Sequence, residues 1–289
     1  IFLNGVKAHL DSIGEQGTMA LANTTGLEEV LFAFGCRVNN DLIGDLNSGV
    51  IPMVVGYVGD KPKTQLVPWR YFPVINAFGE HPTVRNMDAV YTKFVSTIDT
   101  ILTPGIRKTP LLLTSKYSRI YASPVRLHFN EARLKPLPQQ YSKSYLPVAY
   151  LLEGKFTSSY KNRLLPDAEK RLQFNAIHKP GKVLIVSDGD FIFNDVSKTN
   201  KSVFPLGYDR FTRVTFANKD FVNNVLAYML DDKGVILAKN KTIQLRPLDK
   251  MRISKERLKW QIINLATPII MVLSFLAVRW GLRKRKFAK

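Results

Sequence analysis

The sequence predicts an α/β domain with a mixed or parallel sheet, followed by one membrane-spanning helix. Three observations support this. Short β-branched and Leu runs alternate with segments of helical periodicity, the pattern of layered α/β architectures. The clearest run, Val183-Leu184-Ile185-Val186, is continuously apolar, as expected of a strand buried on both faces. The nineteen residues from Trp260 to Val278 carry no charge, close to the ~20 a helix needs to cross a hydrocarbon core.

In chain order, the expected strands are Ile1–Leu3, Met19–Ala22, Ile51–Val58, Leu111–Thr114, Tyr145–Leu152 and Lys182–Ser187. Leu27–Phe34 has apolar residues at helical spacing and stops at Gly35, a residue suited to the left-handed C′ position. The stretch His81 to Gln140 is rich in Thr, Ser, Pro and isolated apolar residues. It reads as strands and loops, with Arg133–Gln140 as an exposed connection. The strand Lys182–Ser187 is entered from the turn His178-Lys179-Pro180-Gly181 and left through Ser187-Asp188-Gly189-Asp190. Asn218–Asp231 places Phe221, Val222, Val225, Leu226 and Met229 on one helix face. Asn218 is placed to cap it, with Asp220 in the first turn. Ser254 is the expected cap of a last helix running through the apolar segment to Leu282.

Trp260 and Trp280 lie twenty positions apart, about 30 Å along a helix, which matches the separation of the two interfacial belts where Trp is enriched. Arg279, Arg283, Lys284, Arg285, Lys286 and Lys289 follow the segment, and Lys250, Arg252, Lys255, Arg257 and Lys259 precede it. Six basic residues against five leave orientation nearly tied by charge. The expectation is a cytoplasmic tail and an extracytoplasmic body. Pro268 would cost a soluble helix ~3 kcal/mol, whereas lipid-embedded helices tolerate it when neighbouring groups satisfy the freed carbonyl. The expected organisation is an α/β domain over residues 1–248, a basic juxtamembrane segment over 249–259, a transmembrane helix over 260–282 and a basic tail over 283–289.

The chain has 289 residues, a hydrophobic fraction of 45% and a net charge of +19. Its mean hydropathy of −0.07 excludes a polytopic membrane protein. Twelve Lys/Arg against two acids fall between Arg246 and Lys289, so over half the excess charge flanks the apolar segment, where anionic lipid would meet it. No zinc-finger, basic-zipper or RNP motif accompanies the charge, and no nucleic-acid partner is expected. Cys36 is the one cysteine and sits among apolar residues, as core filler does. The sequence begins Ile-Phe-Leu-Asn without an initiator Met, so a longer parent is expected.

Candidate chemistry gathers after the best strand. Asp188, Asp190, Asn194 and Asp195 follow it closely, and open α/β sheets bind ligands at the carboxyl ends of strands. Oxygen-rich clusters can hold Ca²⁺ or Mg²⁺, but this spacing is not an EF-hand, and shaping turns and capping a helix start is the commoner use of residues such as Asp188 and Asn194. His9, His81, His128 and His178 show no metal-ligand spacing. A G-x-S-x-G elbow and a P-loop are both absent from the sequence. Hence no catalytic residue, metal or cofactor is expected. The aromatic stretches Val67–Pro73 and Tyr141–Tyr160 suit a core, a ligand cleft or a partner surface.

Several phrases together resemble the gliding-motility-associated ABC transporter auxiliary (GldG) family of Bacteroidota. They are Leu66–Pro73 (LVPWRYFP), Lys108–Ser115 (KTPLLLTS), Leu151–Ser158 (LLEGKFTS), Val186–Asp190 (VSDGD), Ala217–Phe221 (ANKDF) and Leu245–Asp249 (LRPLD), in family order. The resemblance implies a glutamine-amidotransferase-like, flavodoxin-like layered fold without that fold's catalytic cysteine. It implies a longer parent with an N-terminal membrane helix, and a substrate-binding or auxiliary component beside an ABC permease and a separate ATPase. The localisation implied is the bacterial inner membrane with a periplasmic domain. The family offers no catalytic residues to carry over. A carbohydrate- or small-ligand-binding receptor is the alternative.

Overall fold

The computed structural model describes residues 1–158, 160–161, 180–197, 199, 201–231 and 250–287. The chain divides into two compact units, Ile1–Lys241 and Thr242–Lys289. In order, the first unit runs β1 (Val6–Lys7), β2 (Thr18–Ala22), α1 (Glu28–Ala33), β3 (Cys36–Val38), β4 (Asp41–Asp45), β5 (Ser48–Val58), β6 (Lys61–Ile75) and β7 (Ala77–Phe78). It continues with β8 (Val90–Tyr91), β9 (Ile98–Thr100), β10 (Ile106–Leu113), β11 (Ser118–Ala122), β12 (Val125–Leu127), β13 (Pro147–Gly154), β14 (Gly181–Val186), β15 (Tyr208–Asp209), β16 (Val214–Thr215) and α2 (Asn218–Leu230). The second unit holds α3 (Lys250–Phe287).

The architecture is mixed α/β, but its ladders are antiparallel where a parallel sheet was a possibility. The central sheet has the order β14-β13-β10-β7, with Ala149 opposite Val186 and Thr109 opposite Leu151. Val183–Val186 is apolar throughout because both faces are covered: Leu184 and Val186 belong to one core, and Val183 and Ile185 to another. Besides β13, the expected first strand lies against it through a parallel bridge between Phe2 and Val186. Val186 N donates to Ile1 O and Leu3 N donates to Val186 O. Phe221 and Val225 of α2 join Leu111, Leu151 and Val186 in one core. A second core is aromatic, built on Trp69, Tyr71, Phe72 and Phe94. The third surrounds Cys36, Leu31 and Phe156.

Small sheets leave many strand ends, and buried side chains supply the missing backbone partners. Asp45 accepts from Asn47 N at 2.7 Å, Ser115 N at 2.7 Å, Ser115 Oγ at 2.6 Å and Ser118 Oγ at 3.1 Å. Asp41 accepts from Thr97 N and Thr97 Oγ1. Ser187 Oγ donates to Ser96 O, and Ser96 Oγ to Asp41 O, tying the end of β14 to β4.

Gly35 closes α1 at φ 82°, as its place in the sequence requires. The two capping expectations fail. Asn218 is the first helical residue of α2, and its side chain instead bonds both N and O of Tyr91, at 2.9 and 2.8 Å. Ser254 lies inside α3, which begins at Lys250. Residues His81–Gln140 do form strands, short 3₁₀ turns and loops, and 133–140 is exposed. His178 and Leu245–Asp249 lie outside the described residues, as do the side chains of Trp260, Lys284 and Lys286.

Candidate functional site

Two polar residues leave β14 and turn the chain. Ser187 is buried and donates to Ser96 O at 2.6 Å and Val148 O at 3.2 Å, a structural use of its hydroxyl. Asp188 is 1% exposed. Its two oxygens accept from Lys93 N at 2.8 Å and Asp190 N at 2.9 Å. Gly189 N donates to Asn4 Oδ1 at 2.7 Å, so the turn is fixed on both sides.

Lys93 is the residue the sequence reading missed. Its backbone N–H holds Asp188, and its Nζ pairs with Asp195 at 2.8 and 3.1 Å. The next residue, Phe94, is buried with φ 51°. That conformation is costly for a bulky side chain. Packing over-determines it: Phe94 N donates to Tyr71 O at 2.8 Å and its ring meets Phe72 edge-on at 5.1 Å. Asp188, Asp190 and Asp195 therefore gather around Lys93. Asn194 lines the same cleft, and its amide donates to Phe204 O at 2.7 Å.

Burial pushes the Asp188 carboxyl up to about 7, against the two backbone N–H groups that favour its charged form; the neighbouring Asp190 reinforces the rise. Beside it opens a cleft of about 300 Å³ walled by Phe72, Tyr91, Phe193, Lys93, Asp195 and Arg210. Much of its charge is paired: Lys93 with Asp195, and Arg210 with Asp11 at 3.4 Å. Asp209 accepts from Phe211 N, Thr212 N and Thr212 Oγ1, closing its own turn. A larger groove of about 880 Å³ lies along α1 and the 37–41 segment, with Phe32, Arg37 and Asn39 in its wall. Arg37 and Asn39 are committed there to each other and to Asp99.

Among the described residues, no three His, Cys, Asp or Glu side chains converge on a possible metal position. His9, His81 and His128 each precede a short 3₁₀ turn, where Nδ1 accepts the N–H two residues on, from Asp11, Thr83 and Asn130 respectively. Cys36 is buried, and burial raises its thiol to about 11, far from a nucleophile's range.

In the second unit, Gln261–Arg283 is a 23-residue stretch that contains an 18-residue window of mean hydropathy 2.0, long and apolar enough to cross a membrane. Ile262, Leu265, Ile270, Leu273, Leu276 and Trp280 are exposed. Arg279, Arg283 and Arg285 follow on the same helix. The carbonyl freed by Pro268 is that of Asn264, whereas the Thr267 hydroxyl donates to Ile263 O at 2.7 Å.

The family model described as "ABC-type uncharacterized transport system", the ABC-transporter auxiliary family, matches residues 1–225. Comparison with curated proteins and with solved structures returns no match.

Proposed function

Because the chain belongs to this ABC-transporter auxiliary family, we propose that it is a membrane-anchored, non-catalytic auxiliary subunit of an ABC transport system, of the kind associated with gliding motility. The family match over residues 1–225 is the observation that carries this reading. The first unit serves as a docking platform with a glutamine-amidotransferase-like fold, on the periplasmic side of a bacterial inner membrane. The stretch Gln261–Arg283 anchors it, with Trp260 and Trp280 at the two interfaces. Arg279, Arg283, Lys284, Arg285 and Lys286 face anionic lipid on the cytoplasmic side. Transport energy comes from a separate ATPase working with a permease.

Support also comes from how the polar groups are used. The buried carboxylates, the buried serines and three histidines are spent on backbone hydrogen bonds, as in a scaffold. The test is affinity capture of the full chain from detergent-solubilised native membranes. Co-elution of a permease and an ATPase is expected, and capture of neither sinks the reading.

A ligand-binding role is favoured by one observation, the aromatic and charged cleft beside Lys93, Asp190 and Asp195. Aromatic walls with paired carboxylates suit a carbohydrate or small polar ligand. A thermal-shift screen against a glycan panel tests it: a shift lost in Asp190→Ala would support the receptor reading.

A further inference from the structure

The hairpin β5–β6 is longer than the body that holds it. Its root is buried on alternate residues through Ile51, Met53, Trp69 and Tyr71. From Val54 to Leu66 nearly every residue is exposed on both faces, leaving an arm of about five residue pairs, ~17 Å long at 3.4 Å per residue. A two-residue turn, Gly59-Asp60, closes it. Gly59 has φ 59°, as a type II′ turn demands of its first central residue.

Register assigns the two faces of this arm. Directly opposed residues share a face, and successive residues alternate. The pairs Pro52↔Leu66, Val54↔Thr64 and Tyr57↔Pro62 fall on one face, because the irregularity between Val54 and Gly56 restores the alternation. Val58↔Lys61 and Gly56↔Lys63 fall on the other. One face is thus an exposed, largely apolar strip of Pro52, Val54, Tyr57, Pro62 and Leu66, with Thr64 among them. The other carries Lys61 and Lys63. At the tip, Tyr57 and Val58 are 72% and 70% exposed, one on each side. Arg133 braces the arm by donating to Val54 O at 2.7 Å.

Three features narrow the partner. Pro52, Pro62 and Pro68 lie in the two strands, and a proline has no N–H to offer an added strand, so the arm is protected against β-augmentation. Lys61, Lys63 and Arg133 outnumber Asp60 on and beside it, so a second copy of this chain, at +19, would meet it with like charge. Finally, the tip is convex, with an amphipathic Tyr and a β-branched residue at its end flanked by lysines. A protein partner would need a matching groove, whereas a lipid interface deforms around such a wedge.

We propose that the 54–66 arm is a second membrane contact, a β-wedge that rests its Tyr57–Val58 tip and its apolar strip in the headgroup region of an anionic bilayer while Lys61 and Lys63 meet lipid phosphate. This rests on the anchoring reading above, which keeps the domain within reach of a bilayer.

The test uses the full chain carrying Val58→Cys labelled with an environment-sensitive dye, the native Cys36 being buried. It is reconstituted into vesicles of phosphatidylcholine alone or of phosphatidylcholine with phosphatidylglycerol. A blue shift and several-fold brighter emission are expected only with the anionic lipid. They should vanish in Lys61→Glu/Lys63→Glu and be absent for a label at Leu102→Cys, an exposed site elsewhere. An unchanged label at position 58 in vesicles that float together with the protein overturns the wedge and leaves the anchor standing. A response that appears only when permease and ATPase are co-reconstituted assigns the arm to a protein partner, and likewise overturns the proposal. A chain that fails to float with either vesicle removes the anchor, and the wedge with it.

Discussion

The root and the tip of the β5–β6 hairpin are built from the same materials and meet opposite fates. Both are rich in aromatic and β-branched residues, and both belong to one antiparallel ladder. At the root, Trp69 meets Tyr71 at 5.2 Å, Tyr71 meets Tyr121 at 5.5 Å, and Phe72 packs on Tyr91 and Phe94. At the tip, Tyr57 and Val58 have no such neighbours among the described residues and are 72% and 70% exposed. Apolar alternation therefore specifies a strand without specifying what covers it. Cover comes from elsewhere in the chain, from residues 91–94, 121 and 129–133.

The contrast can be broken first at the root. Phe72→Ala removes a buried ring from the aromatic core, and a loss of about 3–5 kcal/mol is expected, measured by urea unfolding of the detergent-solubilised chain. A loss under 1 kcal/mol would mean that the root is not packed as described. Asp45→Ala comes next. It strips four hydrogen bonds from the turn that feeds β5 and from the 115–118 segment, with about 2–3 kcal/mol expected from the orphaned donors; Asp45→Asn should recover part of this.

A pH effect also belongs to the root. Asp188 holds Lys93 N, and the adjoining Phe94 packs on Phe72. The Asp188 carboxyl rises on folding from 3.8 to about 7, so the folded state binds its proton more tightly than the unfolded state does. This contribution is complete below pH ~4 and fades as pH climbs through about 7. Thermal stability should therefore decline across that interval, and Asp188→Asn should flatten the slope even if it lowers stability overall. An identical slope in the variant would remove Asp188 from the account. The smallest effect is expected at the tip: Tyr57→Ala should change unfolding stability by no more than ~0.5 kcal/mol, since its ring is exposed. A large loss there would show that the tip is packed after all.

Much of the fold was legible. The strand cores at 19–22, 51–58, 111–113, 147–152 and 182–186, the helix ending at Gly35 and the helix at 218–230 all lie where local pattern puts them. Strand direction was not, because Val183–Val186 reads the same whether its neighbours run parallel or antiparallel. The neighbours that decide it come from 147–154 and from residues 1–3. The cluster after β14 was legible as a turn rich in oxygen, but the role of Asp188 depends on Lys93, 95 positions away, and no local signal joins them. Asn218 misled for the same reason. It has the chemistry of a cap, yet a backbone 127 positions distant takes both ends of its amide.

The histidine turns carry one more implication. At His9, His81 and His128 the ring nitrogen nearer the backbone is occupied as an acceptor, so in the neutral ring the hydrogen must reside on the remote nitrogen. A nitrogen bearing hydrogen has no lone pair to give a transition metal. Each imidazole could coordinate an ion only by surrendering its turn, so this domain should pass through a nickel-charged resin with little retention by these three rings unless it is first unfolded.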